Sequence, residues 1–143
     1  MTDAELLSMP AGDYMNDEQL TFFRARLAQL ELDLRKTLAR PVESVREVTS
    51  EADPTDVATR EEEQAGELRS RDRHSRMFDE VRKAIARIED GSYGYCEDTG
   101  EPIGIARLLA RPTATLTVEA QEQRELRRKL GLVGPPVESG TER

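Results

Sequence analysis

The sequence predicts a mainly α-helical chain: a long antiparallel coiled-coil hairpin with a small globular piece and a C-terminal helix. Apolar residues recur every three or four positions in two stretches of nearly equal length. Hydrophobic residues are 36% of the chain and charged residues 35%, with no Trp, which suits a narrow buried seam better than a large core. Between the two stretches stands Asp53-Pro54-Thr55-Asp56, a short turn that forces the helices to pair antiparallel. At about 1.5 Å of rise per residue, arms of roughly 33 residues would carry that acidic turn about 50 Å.

Residues 1–15 read as a loosely attached leader packing on or near the globular part, with a short helical turn over Ala4 to Ser8. Asn16, followed three residues later by Gln19, gives a capping-box signal that opens the hairpin, residues 16–90. The first arm is expected to run to about Ser50 on the stripe Phe23, Leu27, Leu30, Leu34, Leu38, Val42, Val45 and Val48. Pro41 falls inside it, and because the apolar phase carries through, the spacing predicts a kink there rather than a break. The acidic tip spans 51–58. The second arm is expected from near Asp56 to Asp90-Gly91 on Ala58, Ala65, Leu68, Met77, Val81, Ile85 and Ile88. Its middle, Arg69 to Arg76, is strongly polar and thins the seam.

The texture changes after Gly91. Tyr93 to Ile103 is turn-rich and short-stranded in character, Ile105 to Ala110 suits a brief helix, and Thr117 opens a last helix to about Leu130. Residues 91–131 thus form the globular piece with the C-terminal helix, and 132–143, with Pro135 and Pro136, read as a flexible tail.

Charge and composition exclude several roles. A formal charge of −8 opposes general nucleic-acid binding, which needs a basic face. No stretch is apolar enough to span a bilayer, no targeting segment is visible, and one cysteine cannot form an internal disulfide, so a cytoplasmic protein is expected. The alternating charges of residues 58–90 read first as a solvated coiled-coil surface, and second as a protein-binding face around Arg69 to Arg76. No nucleophile–base pairing, phosphate-cradling glycine loop or complete metal set points to an enzyme. Asp at the head of an Asp-Pro turn and Asp as an N-cap are both ordinary, so Asp56 also reads as the cap of the second arm.

Several ordered motifs narrow the reading. Asp53-Pro54-x-Asp56-x-Ala58, Glu61-Glu62-Glu63, Leu68-Arg69-x-Arg71-Asp72-Arg73, the Gly94-Tyr95-Cys96 turn, and Gly104-Ile105 through Thr113 follow one another at spacings hard to obtain by chance. Together they resemble the DksA/TraR family of bacterial RNA polymerase regulators, over nearly the whole chain from Tyr14 to Gln121. The resemblance implies a monomer that binds RNA polymerase, core or holoenzyme, without reading DNA sequence. It implies a coiled coil that enters the secondary channel and modulates initiation at ribosomal RNA and amino-acid promoters in the stringent response. By the same resemblance Asp53, Asp56 and Ala58 are the tip near the polymerase active site, and Arg69 and Arg73 belong to the surface that contacts the channel.

Two departures accompany the resemblance. Zinc-bearing relatives space four cysteines as C-x2-C-x17-C-x2-C, which falls here on Cys96, Thr99, Thr117 and Ala120. One thiol, two hydroxyls and a methyl do not make a structural zinc site, so a degenerate zinc-finger-like domain held by packing is expected. Its expected core is Tyr93, Tyr95, Ile103, Ile105, Leu108, Leu116, Val118 and Ala120, with Cys96 as a small buried hydrophobe. The second departure concerns ppGpp, the effector that the resemblance implies. By alignment with the family two of its basic positions become Glu80 and Gln121, leaving Arg111, with Arg82, Lys83 and Arg124 nearby, to hold the phosphates.

Two other readings stay open at this point. A transcript-cleavage factor of the Gre type also carries an acid-tipped coiled coil, whose carboxylates help hold a catalytic magnesium. A structural coiled-coil adaptor needs only the seams.

Overall fold

The computed structural model describes residues 1–41 and 53–131. In order, the chain forms α1 (Asp3–Leu7), a 3-10 turn (Ala11–Asp13), α2 (Asp17–Ala39), α3 (Pro54–Asp90), α4 (Ile105–Ala110) and α5 (Val118–Lys129). It divides into two compact units: Met1–Leu27 with the chain from Lys83 onward, and Ala28–Arg82.

In the first unit the N-terminal residues are tied down, contrary to the loose leader expected. Thr2 and Glu5 form a capping box on α1, with Glu5 N–H on Thr2 Oγ1 at 3.1 Å and Thr2 N–H on Glu5 Oε1 at 2.7 Å. The helix buries Leu6 completely and packs on α4. Tyr14 then reaches 80 and 90 residues along the chain. Its hydroxyl donates to Gly94 O at 2.6 Å and accepts from Gly104 N–H at 2.9 Å. Gly94 sits at φ +92°, and a Cβ there would lie 2.8 Å from Met15 Cγ and Sδ, so only glycine admits this approach.

Asn16 caps α2 as its sequence implies, Oδ1 accepting from Gln19 N–H at 2.9 Å. The Gln19 side chain is buried and returns to Met15 N–H at 2.7 Å. α3 ends where Gly91 takes φ +87°; Ser92 and Tyr93 N–H both turn back to Arg87 O. Tyr93 is buried, its ring 5.7 Å from Phe23 and its hydroxyl donating to Pro112 O at 2.7 Å.

The short-stranded character expected of 93–103 reduces, among the described residues, to one antiparallel bridge, Tyr95 with Pro102. Cys96 N–H on Glu101 O and Ile103 N–H on Gly94 O, both 2.8 Å, close the knuckle around it. Ile103, Leu108, Leu116 and Ala120 are buried as expected, but Tyr95 and Val118 are exposed and Ile105 is only half-buried. The reason is local. Tyr95 pairs edge-on with Tyr14, and Val118 takes the first position of α5, so its inward neighbours are Thr117 and Ala120.

The second unit holds the outer parts of α2 and α3. α2 ends at Ala39, so the expectation of a helix running through a kink at Pro41 fails at Arg40. The residue before a proline is driven from the α region, and the proline cannot donate the next helical bond. Val42, Val45 and Val48 of the proposed stripe lie outside the described residues. α2 presents the apolar seam expected: Phe23, Leu27 and Leu34 are buried, Leu30 and Leu38 half-buried.

On α3 the seam has another phase. Ala58, Ala65, Leu68 and Met77 face out, with Leu68 46% and Met77 45% exposed. Among the less exposed positions Gln64, Glu67, Arg71, His74, Phe78, Val81, Ile85 and Ile88 step by three and four as a heptad a/d pair does, with Ala84 fully buried beside them. Four of those eight heptad positions are polar, so hydrophobicity traced Val81, Ile85 and Ile88 correctly but missed the inward face between Gln64 and His74.

Candidate functional site

Asp53, Pro54, Thr55 and Asp56 occupy the N-terminus of α3 as N-cap, first, second and third positions. Asp53 Oδ1 accepts from Asp56 N–H at 2.9 Å, which makes Asp53 the cap and corrects the reading that gave that role to Asp56. Pro54 fits because the first helical N–H has no partner in the helix anyway. Asp56 stands in the first turn, where the positive end of the helix favours a carboxylate. Both acids and Ala58 are exposed.

About two heptads further along α3 the arginines separate into two kinds. Arg69 and Arg73 are exposed, Arg73 Nη2 donating to Ser70 Oγ at 3.0 Å. Arg71 turns inward and donates to the C-terminal carbonyls of α2, to Leu38 O at 2.6 Å and Arg40 O at 3.2 Å. Farther on, Arg82 is exposed, 3.8 Å from Glu31 Oε2 and stacked over Phe78 at 5.8 Å. Lys83 and Arg111 are exposed and belong to the other unit; Arg111 caps the end of α4, its N–H on Arg107 O at 2.8 Å.

The knuckle brings the four degenerate ligand positions onto two facing segments. Thr117 caps α5, Oγ1 accepting from Ala120 N–H at 3.1 Å, and its hydroxyl lies 3.9 Å from Cys96 Sγ. Gly100 N–H returns to Cys96 O, and Glu101 N–H meets Thr99 Oγ1. Burial pushes the Cys96 thiol up, but hydrogen bonds from the Thr99 side chain and the backbone of Thr117, Thr99 and Asp98 outweigh it and bring the thiol below its ordinary value. The cysteine is buried, as expected, with the Thr117 hydroxyl against its sulfur.

These residues do not fit zinc. Thr117 already accepts from the α5 backbone, a neutral hydroxyl is a poor ligand, and Ala120 presents only a methyl. Among the described residues no group of three or more His, Cys, Asp or Glu is placed to hold a metal. What joins the two segments instead is an ion pair that sequence reading missed. Arg124 grips Asp98 through two bonds, Nε to Oδ2 at 2.9 Å and Nη2 to Oδ1 at 2.5 Å, with the Asp98 side chain 7% exposed. Asp98 also raises the pKa of Arg124 through that bond. Glu97 N–H on Thr115 O at 2.8 Å adds a backbone link beside it. A separation of 26 residues left no periodic signal by which to pair Asp98 with Arg124.

A helical pair with an acid-capped second arm, together with a four-position knuckle facing a capped helix, defines a class of small two-part proteins. Residues 19–88 match the family model described as the DnaK suppressor protein DksA N-terminal domain. Residues 91–126 match the prokaryotic dksA/traR C4-type zinc finger. The chain belongs to the DksA/TraR family. It is 48% identical over 118 residues, 82% of this chain and 83% of the relative, to an RNA polymerase-binding transcription factor DksA of Caulobacter vibrioides. The protein of the same description from Escherichia coli K12 is 40% identical over 121 residues, 84% of this chain and 80% of that one. Among solved structures, transcription factor DksA2 from Pseudomonas aeruginosa superposes with a TM-score of 0.75 at 38% identity, covering 90% of this chain and 99% of that one.

Proposed function

We propose that this protein is an RNA polymerase-binding transcription regulator that acts by placing the N-terminus of α3 in the polymerase secondary channel. The observation that carries the reading is the 48% identity, across 82% of the chain, to a relative described as an RNA polymerase-binding transcription factor. Asp53 and Asp56 head α3 in exposed positions, and Arg69 and Arg73 lie exposed on the same helix. In this reading Asp53 shapes the tip by capping, Asp56 supplies the working charge, and Ala58 keeps the next turn slim. Arg69 and Arg73 contact the channel rim.

The role is regulatory rather than enzymatic. What supports this reading is that the relatives at 48% and 40% identity are described as transcription factors. Modulation of initiation at ribosomal RNA and amino-acid promoters follows from charge delivered near the polymerase active site. Arg111, with Lys83 and Arg82, offers a reduced cationic set for ppGpp, so its effect is expected to be modest. The protein works as a monomer and without zinc.

In vitro transcription from a ribosomal RNA promoter, with occupancy measured by binding to core polymerase, tests the reading. Asp56→Asn is expected to bind like wild type while losing most of the effect on initiation, because the helix cap at Asp53 is untouched. An Asp56→Asn protein that regulates like wild type at equal occupancy would remove the charge from the mechanism. Failure of wild type to bind polymerase would end the proposal.

A further inference from the structure

Arg71 belongs to a run of arginines, yet it alone among Arg69, Arg71 and Arg73 turns away from solvent. Its guanidinium holds Leu38 O at 2.6 Å and Arg40 O at 3.2 Å. The last carbonyls of a helix have no partner within it and carry its negative end, so a cation with forked donors is the best complement. α2 stops at Ala39, and Pro41 follows at once. Arg71 also occupies an inward heptad position of α3, between Gln64 and Phe78, on a face where other positions are polar. Apolar seams tolerate sliding by a heptad, because one aliphatic contact replaces another. A polar group at an inward position does not, since its bonds exist in one alignment only.

We propose that Arg71 is the register pin of the helical pair, a positioning residue that fixes how far α3 runs past the end of α2. A slip of one heptad would displace Asp53 and Asp56 along the axis by about 10 Å. The inference rests on the proposed function for its consequence, but its physical half stands on the two carbonyl bonds alone. Arg69 and Arg73 face a partner, while Arg71 determines where α3 and its acidic end lie relative to the end of α2. Leucine at position 71 would fit the seam and keep the helices paired, yet lose the alignment.

The test uses the full chain with Cys96→Ser and nitroxide labels introduced at Leu32 and Glu80, both exposed and both in the unit that holds Arg71. Electron spin distance measurements are expected to give one narrow distribution with Arg71, a broadened or shifted one in Arg71→Leu, and a partly restored one in Arg71→Lys, which can reach one carbonyl. Circular dichroism should show the helix content of Arg71→Leu unchanged. In transcription, unlabelled Arg71→Leu should bind polymerase within about threefold of wild type while its maximal effect falls about tenfold or more, as misplacement by ångströms commonly causes. An unchanged distance distribution in Arg71→Leu would overturn the pin. So would loss of regulation strictly in step with loss of binding, which would make Arg71 a contact. If the distances shift while even wild type leaves transcription unaltered, the pin stands and the polymerase reading falls.

Discussion

The knuckle and the outer helical pair solve the same problem, holding two segments in one alignment, by opposite means. The knuckle has a dense core of Tyr93, Ile103, Leu108, Leu116 and Ala120, crossed by the Asp98–Arg124 ion pair and the Tyr14 hydroxyl. The outer pair has an apolar seam on α2 facing an α3 whose inward positions include Gln64, Glu67, Arg71 and His74. Polar links in the knuckle supplement packing beside Cys96, Thr99, Thr117 and Ala120. In the outer pair they are a large part of what specifies the arrangement. Stability therefore concentrates in the first region, and alignment of the charged end in the second.

The comparison breaks most readily at the core. Leu108→Ala, at a fully buried site, should cost about 3 kcal/mol in urea unfolding, while Leu68→Ala, with its side chain in solvent, should cost less than about 0.5 kcal/mol. Equal losses at the two sites would mean that Leu68 does lie in a seam.

A smaller effect is expected at the ion pair. Arg124→Leu leaves the Asp98 carboxylate without its partner and should destabilise the protein by about 2 kcal/mol. That is less than for a fully dry pair, because the Arg124 side chain is 33% exposed. Replacing both residues with Leu should recover more than half of the loss in a double-mutant cycle. Chelator or added zinc should leave the melting temperature of wild type unmoved; a drop with chelator would show that a metal shares the work of the pair.

The smallest effect sharpens the second region. Asp53→Ala should cost about 1 kcal/mol through loss of the α3 cap, and Asp53→Asn only a few tenths, since Asn caps equally well. Thermal melts followed by circular dichroism resolve the difference. Comparable losses in both variants would mean that the Asp53 charge, not its cap, stabilises the turn.

Local signals in the chain were legible where they act within a few residues. Asn16 with Gln19, Gly91 at the end of α3 and Thr117 at the head of α5 each act within three residues, whereas the start of α3 was expected near Asp56 and lies at Asp53-Pro54. Periodicity also placed the α2 seam correctly. On α3 it placed Val81, Ile85 and Ile88 correctly but failed nearer the acidic end, because the inward face there contains residues that hydropathy counts as surface, while Leu68 and Met77 drew the stripe outward. It failed at Pro41 too, where an apolar phase outweighed the steric rule that ends the helix. Of the candidate site, the neighbourhood of Cys96 and Thr117 could be read from spacing, but the Asp98–Arg124 pair that joins the two segments could not.

The sequence by itself determined the helices apart from the end of α2, the caps at Asn16 and Thr117, the acidic end of α3 and the presence of a single thiol, because these depend on residue identity and short separations. Only the tertiary structure decided which arginine turns inward, that Asp53 rather than Asp56 is the cap, and that Asp98 meets Arg124 and Tyr14 meets Gly94 and Gly104. Apart from the cap, these are contacts across 26 to 90 residues. At such separations a side chain's partner is set by how the backbone returns, and no short-range pattern records that return.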